Sequence, residues 1–125
     1  MMTDEQKQIL LNETRITSET GGQKGVKPAR MDLIDPYFLW ELSNVCGMGS
    51  AKYDDDNWRK GYPWKYSIGA MLRHIMQWLM GEEKDKESGL HHLAHAAWHC
   101  MALMVFSTDK KYEQYDTRNN PCDRT

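Results

Sequence analysis

Two helical stretches, Ile68 to Met80 and Leu90 to Phe106, flank the turn Gly81–Gly89. Such a pair leaves little besides a helical bundle to fold into. The second stretch is apolar nearly all round. Ala96, Ala102, Leu103 and Phe106 follow one side, and Leu93, Ala97, Met101 and Met104 the other. A helix of that kind is central or sits at a subunit interface. The first stretch carries an expected core stripe of Ile68, Leu72, Ile75 and Leu79, with His74 off it beside Met71 and Trp78. Ser67 is placed to cap it and Gly81 to end it.

The rest of the chain fits one small bundle. At 125 residues, two independent cores would be hard to bury. The hydrophobic fraction of 40% is enough for one. Nine Met and five Trp suggest a soft, aromatic-rich core or an oligomer interface. The net charge of −2 argues against a large basic footprint, so no nucleic-acid partner is expected. Cys46, Cys100 and Cys122 have no zinc-finger spacing and read as reduced thiols, with Cys46 and Cys100 buried. With no leader-like N-terminus and no apolar run of spanning length, a soluble cytoplasmic protein without a membrane partner is expected.

Along the chain, residues 1–20 read as a flexible segment with a short amphipathic helix near its start. Residues 21–35 read as a Gly-rich loop carrying Lys24, Lys27 and Arg30, either a phosphate clamp or a solvated basic linker. Asp35-Pro36 starts a helix expected to reach Met48, with Gly47 and Gly49 near its end. Its Glu41 is either a candidate ligand or a solvated rim residue. Residues 50–65 read as a loop in which Trp58, Tyr62 and Trp64 could stack a base and Asn57 read its edge, or in which the aromatics cap the core. Residues 108–125 form a polar tail that either wraps the bundle or frays. Residues 21–107 are therefore the expected working domain, and no strand-like alternation is visible.

The chemistry concentrates between Arg73 and His99. All five histidines lie there, together with Glu82, Glu83, Asp85 and Glu87. His92, His95 and His99 fall along one face of the last helix and need partners for their ring nitrogens. Glu82-x-x-Asp85 would put two carboxylates on one face of a helical extension. Oxygen ligands from Glu82, Asp85 and Glu41 would suit Mg2+ or Mn2+. A charge run of this kind is otherwise an ordinary solvated turn. Metal, cations and aromatics together describe a nucleotide pyrophosphate site.

An ordered set of motifs adds a resemblance. It comprises Gly21-Gly22-x-Lys24-x-x-Lys27-Pro28-x-Arg30-x-Asp32-Leu33-Ile34, then Lys52-Tyr53 with Asn57-Trp58-Arg59-Lys60-Gly61. Arg73-His74, Gly81-Glu82-x-x-Asp85-x-Glu87-x-Gly89 and His92-Leu93-Ala94-His95 follow. Over Gly21 to Phe106 the chain resembles the phage dATP/dGTP diphosphohydrolase N-terminal domain family, related in concept to the all-α MazG-like pyrophosphohydrolases. The resemblance implies an all-α, MazG-like small bundle with long N-terminal and inter-helix loops. It implies a homo-oligomer, dimer or tetramer, that hydrolyses purine deoxynucleoside triphosphates (dATP/dGTP) to the monophosphate and pyrophosphate with Mg2+ or Mn2+, shaping the nucleotide pool in phage replication.

From those motif positions together with the chemistry above, the expected catalytic residues are Glu82, Asp85, His92 and His95, with metal held by Glu82, Asp85 and, off the motifs, Glu41. Phosphates would meet Lys24, Lys27, Arg30, Lys52, Arg59, Arg73 and His74, and the base Tyr53, Asn57 and Trp58. One departure stands out. The MazG-like E-x-x-E is missing, E-x-x-D occurs at Glu82–Asp85 and Glu113–Asp116, and the central helix carries His92-x-x-His95 instead of a second acidic pair. Two other readings follow from the residues. One is a His/Asp metal phosphohydrolase of the HD type using His74, His92, His95 and Asp85, although the adjacent His-Asp pair of that class is missing. The other is a non-catalytic module that binds a nucleotide or a host protein.

Overall fold

The structure, a computed structural model, describes residues 1–12 and 14–118. Pro121 and Cys122 lie outside the described residues. The chain divides into two compact units, Met1–Asp35 and Pro36–Thr125.

In the first unit, helix α1 (Asp4–Leu11) begins with a capping box. The Thr3 hydroxyl accepts from the Gln6 amide at 3.0 Å, and the Gln6 side chain accepts from the Thr3 amide at 2.8 Å. A hairpin follows, in which β1 (Thr14–Thr17) pairs antiparallel with β2 (Gln23–Val26), Thr14 opposite Val26 and Thr17 opposite Gln23. This corrects the expectation that no strand is present and that residues 21–35 are loop throughout. The strands are four residues long and β1 is exposed on both faces, so no apolar alternation announced them. Thr14, Ile16 and Thr17 are β-branched, and the turn is closed by Ser18, whose amide donates to the Gly22 carbonyl at 2.8 Å. Gly21 takes φ +87, a conformation other residues rarely adopt.

The second unit is all-α, as the sequence led us to expect. Helix α2 spans Pro36–Tyr53, α3 Trp64–Leu79 and α4 His92–Thr108. A 3-10 turn at Asn57–Lys60 joins α2 to α3, and another at Lys110–Tyr115 follows α4. Helix α2 starts at Pro36 but runs past Gly47 and Gly49, which keep negative φ and do not stop it. It ends where Asp54 (φ 79) and Asp56 (φ 56) turn left-handed. Lys52 and Tyr53 therefore stand on the last helical turn and not in a loop.

Helix α4 is central, with α3, α2 and the last 3-10 turn all packed on it. The core is Trp64, Ala102, Phe106 and Tyr112, rimmed by Trp58, Tyr62 and Trp98. Phe106 meets Tyr62 edge-on with ring centroids 5.3 Å apart, and Trp58 meets Trp98 at 5.7 Å. The described part of the tail wraps the bundle: Tyr112 is buried and its hydroxyl donates to the Arg59 carbonyl at 2.6 Å.

Two burial expectations are overturned. The stripe Ile68, Leu72, Ile75, Leu79 does not form the core face of α3: Leu72 is 52% and Leu79 67% exposed. The face turned inward is Trp64, Ser67 and His74. The indole anchors the aromatic core, while Ser67 and His74 find hydrogen-bond partners on the histidines of α4. Cys46 and Cys100 are exposed, not buried. Val45 takes the buried position on α2, and Cys100 lies beside Met71 with its Sγ 3.4 Å from the thioether sulfur. No described helix is long and apolar enough to cross a membrane.

Candidate functional site

Four of the five histidines meet in one place because α3 and α4 present them to each other across the turn 80–91. That turn is not a helical extension, so Glu82 and Asp85 do not share a helix face as expected. It folds back through a Lys84–His91 bridge, with the Asp85 amide donating to the Leu90 carbonyl at 2.8 Å and the His92 amide to the Glu83 carbonyl at 3.0 Å. The two carboxylates thereby reach different histidines. Glu82 Oε1 accepts from His92 Nε2 at 2.7 Å. Asp85 Oδ2 lies 3.8 Å from His95 Nε2, with Ser88 Oγ between them at 3.4 and 2.7 Å.

The rings form a stack. His74 lies parallel to His95, with centroids 4.4 Å apart and 3° between planes, and 6.4 Å from His99. His74 Nδ1 meets His92 Nδ1 at 2.9 Å. His91 stands apart and caps α4, accepting from the Leu93 amide at 3.0 Å and bonding Glu83 at 3.1 Å. Among the described residues, ligand atoms of His74, Asp85 and His95 converge within 4.8 Å of one another, and all three residues are buried. Neither Glu82 nor Glu41, half-buried on α2, joins that group.

Electrostatics suit the group to a cation. Burial pushes His74 down to about 4, helped by the charges of His95 and Arg73. Burial also lowers His95, against the pull of Asp85. Burial alone would raise Asp85, but the Glu87 amide and the charges of His74, His95 and Arg73 outweigh it and hold its carboxyl below the usual range. A carboxylate and two neutral imidazoles are therefore present at neutral pH.

A cleft of about 880 Å3 reaches this group at His95, and its lining includes Lys52, Tyr53, Asn57, Trp58, Arg59, Trp98 and His99. Its size suits a nucleotide-sized ligand. The expected base-contacting residues and two of the expected phosphate contacts thus share one cavity with His95. Trp58 also packs on Trp98 and Phe106, so it supports the core as well as facing the cleft. Arg59 lies 4.5 Å over the Trp58 ring and bonds Asp56 at 3.1 Å. Arg73 is on the histidine side, 3.2 Å from His74 Nε2. Lys24, Lys27 and Arg30 belong to the first unit, where Lys24 donates to the Gly25 carbonyl and Arg30 grips Asp32 through two bonds of 2.8 Å.

Ser67, Ser88 and His99 were not singled out as site residues. Ser67 is fully buried and joins Tyr62 OH at 2.6 Å to His99 Nδ1 at 2.9 Å. The spacing of His99 from His92 and His95 on α4 was the signal that could have placed it. Nothing local marks Ser88, which acts only through the fold of the turn.

Burial holds His99 down to about 4, with His95 and Arg73 contributing. The unfolded chain takes up this proton near pH 6.5, well before the folded protein does. The stability that rests on the neutral ring is full above that pH and is lost as pH falls toward 4. Between pH 6.5 and 5 the metal-free protein is expected to lose about 1 kcal/mol through this residue. Thermal melts across that range check it: His99→Gln should flatten the slope, and an unchanged slope would count against it.

Comparison with known proteins places the chain among relatives. A family model described as dATP/dGTP diphosphohydrolase, N-terminal, matches residues 18–118. The dATP/dGTP diphosphohydrolase of Salmonella phage PMBT28 is 39% identical over 69 residues, covering 55% of this chain and 23% of that protein. The chain thus matches less than a quarter of that relative's length. No solved structure matches at a significant level.

Proposed function

The chain belongs to the dATP/dGTP diphosphohydrolase N-terminal domain family, and from that premise we propose that its cleft hydrolyses a purine deoxynucleoside triphosphate. The observation that carries the reading is the continuity of the cleft, from Lys52, Tyr53, Asn57 and Arg59 to His95 of the buried His/Asp group. The base lies against Tyr53 and Trp58, where Asn57 offers a donor and an acceptor to its edge. Lys52 and Arg59 meet the triphosphate, and Arg73 adds positive charge on the histidine side. Water attacks the α-phosphorus, the bond to the bridging oxygen breaks, and the monophosphate and pyrophosphate form. Asp85 and His95 stand at the reacting end, with Glu82 and His92 behind them.

The residues present fit a divalent cation. His74, Asp85 and His95 would hold it, and it would supply the positive charge that triphosphate oxygens need. One carboxylate and two imidazoles suit Mn2+ better than Mg2+. The exposed apolar residues Tyr37, Leu39 and Trp40 on α2 and Leu72, Leu79 and Met80 around α3 support assembly into a homo-oligomer. The reading extends to a part in adjusting the nucleotide pool during phage replication, the setting suggested by the phage relative.

The His/Asp grouping also favours a second reading, a His/Asp metal phosphohydrolase that releases triphosphate and a nucleoside. Product analysis separates the two. The protein, sized first by light scattering to test for a mass above 14.6 kDa, is incubated with each deoxynucleoside triphosphate and Mn2+ or Mg2+. Pyrophosphate with the monophosphate is the expected result, tripolyphosphate would shift the assignment to the second reading, and inertness toward dATP and dGTP would overturn both.

A further inference from the structure

The hydrogen bonds around His74 fix where its proton sits. A carboxylate only accepts, so His92 must donate to Glu82 through Nε2. With that proton on Nε2, a neutral His92 has only a lone pair on Nδ1, which can accept from His74 Nδ1 at 2.9 Å. His74 then carries its proton on Nδ1 and its lone pair on Nε2. The other side of the ring gives the same answer independently. A guanidinium only donates, and Arg73 lies 3.2 Å from His74 Nε2, so that nitrogen is an acceptor.

We infer that Glu82 and His92 form a positioning relay that holds His74 in the Nδ1–H tautomer, leaving Nε2 as its donor atom to a transition-metal cation shared with Asp85 and His95. The proposal rests on the reading that this group is the reacting end of the cleft. Metal-binding histidines usually donate their second ring proton to a carboxylate or carbonyl, which sets tautomer and orientation. Here a second histidine is inserted between ligand and carboxylate. His92 is fully buried and Glu82 mostly so, and the pair answers why a carboxylate beside the group takes no place in it. Glu82 and His92 are thus positioning residues and His74 a ligand. Two imidazoles in the donor set select Mn2+, Zn2+ or a similar ion over Mg2+. A cation at Nε2 would take the place of the Arg73 contact, and Arg73 would still have Gln77 as a partner, 2.7 Å away.

Two measurements on the full chain test this. Long-range proton–nitrogen NMR correlation on the metal-free protein should show His74 as the Nδ1–H tautomer and His92 as Nε2–H. The opposite tautomer at His74 would overturn the relay without any variant being made. Calorimetric titration with Mn2+, Zn2+ and Mg2+ should show Mg2+ weakest, and His74→Ala should abolish binding of the other two. His92→Leu and Glu82→Gln should weaken it by about 10- to 100-fold. His92→Gln, whose amide oxygen can still accept from Nδ1, should recover most of the loss. Equal affinity in His92→Leu and the parent would overturn the relay. If the parent binds none of these metals yet forms pyrophosphate from dATP or dGTP, the metal centre is wrong and the hydrolase reading stands. If the metals bind in this pattern and no triphosphate turns over, the centre stands and the hydrolase reading falls.

Discussion

Replacing His95 by alanine is expected to lower kcat/KM for the purine deoxynucleoside triphosphate by about 10³-fold or more. His95 both lines the cleft and belongs to the buried group with His74 and Asp85. Its loss removes one of two imidazoles from the donor set and frees Ser88 to turn toward Asp85 alone. Loss of about 4 kcal/mol of transition-state stabilisation corresponds to three powers of ten in rate. The ring is also stacked on His74, so the variant should be shown to be folded by circular dichroism before its kinetics are read. His95→Gln, closer in volume, guards against a collapse of the stack being mistaken for lost chemistry. A folded variant whose kcat/KM stays within threefold of the parent would remove His95 from the reacting end.

Gly61→Ala is expected to destabilise the second unit by about 3 kcal/mol. Gly61 sits at φ +91, where an L side chain is strained. An added Cβ would also lie 2.6 Å from Tyr115 Cε2 and 3.1 Å from Tyr112 Cδ1. Both rings belong to or pack on the aromatic core, so they cannot swing away freely. The melting temperature should fall by about 15 °C. Gly69→Ala serves as the internal comparison. It lies within α3 with no atom near the new methyl group, and should raise stability by about 0.5–1 kcal/mol. Similar melting temperatures for the two variants would show that the close approach at Gly61 is relieved at little cost. Because Tyr112 holds the Arg59 carbonyl, Gly61→Ala should also loosen the Arg59 side of the cleft.

The helices were legible where their pattern was long. The apolar circumference of α4 announced a central helix, and Asp35-Pro36 announced the start of α2. Boundaries set by one or two dihedrals were not legible: Gly47 and Gly49 look like stop signals, yet the chain turns at Asp54 and Asp56. Nor was the rotation of α3. An apolar stripe and a histidine compete for the inside of a helix, and the winner depends on partners that sequence spacing does not reveal. Here Ser67 and His74 go in because α4 brings His92, His95 and His99 to meet them. The same reason separates Glu82 from Asp85, since a turn that folds back sends neighbouring carboxylates to different histidines. The hairpin, with β1 exposed throughout and β2 exposed at Gln23 and Lys24, carried no apolar alternation to read.

The grouping of His74, Asp85 and His95 has a consequence for how such a protein forms and diverges. All three come from one helical hairpin, so their meeting closes a short stretch of chain and belongs to the low-contact-order, fast-forming part of the fold. The cleft lining from Lys52 to Arg59 is joined to the tail by the Tyr112–Arg59 bond across distant sequence. The histidine end of the cleft and its Lys52–Arg59 end thus rest on different contacts. Substitutions between Lys52 and Arg59 are therefore expected to change the cleft lining while the hairpin goes on assembling the same histidines.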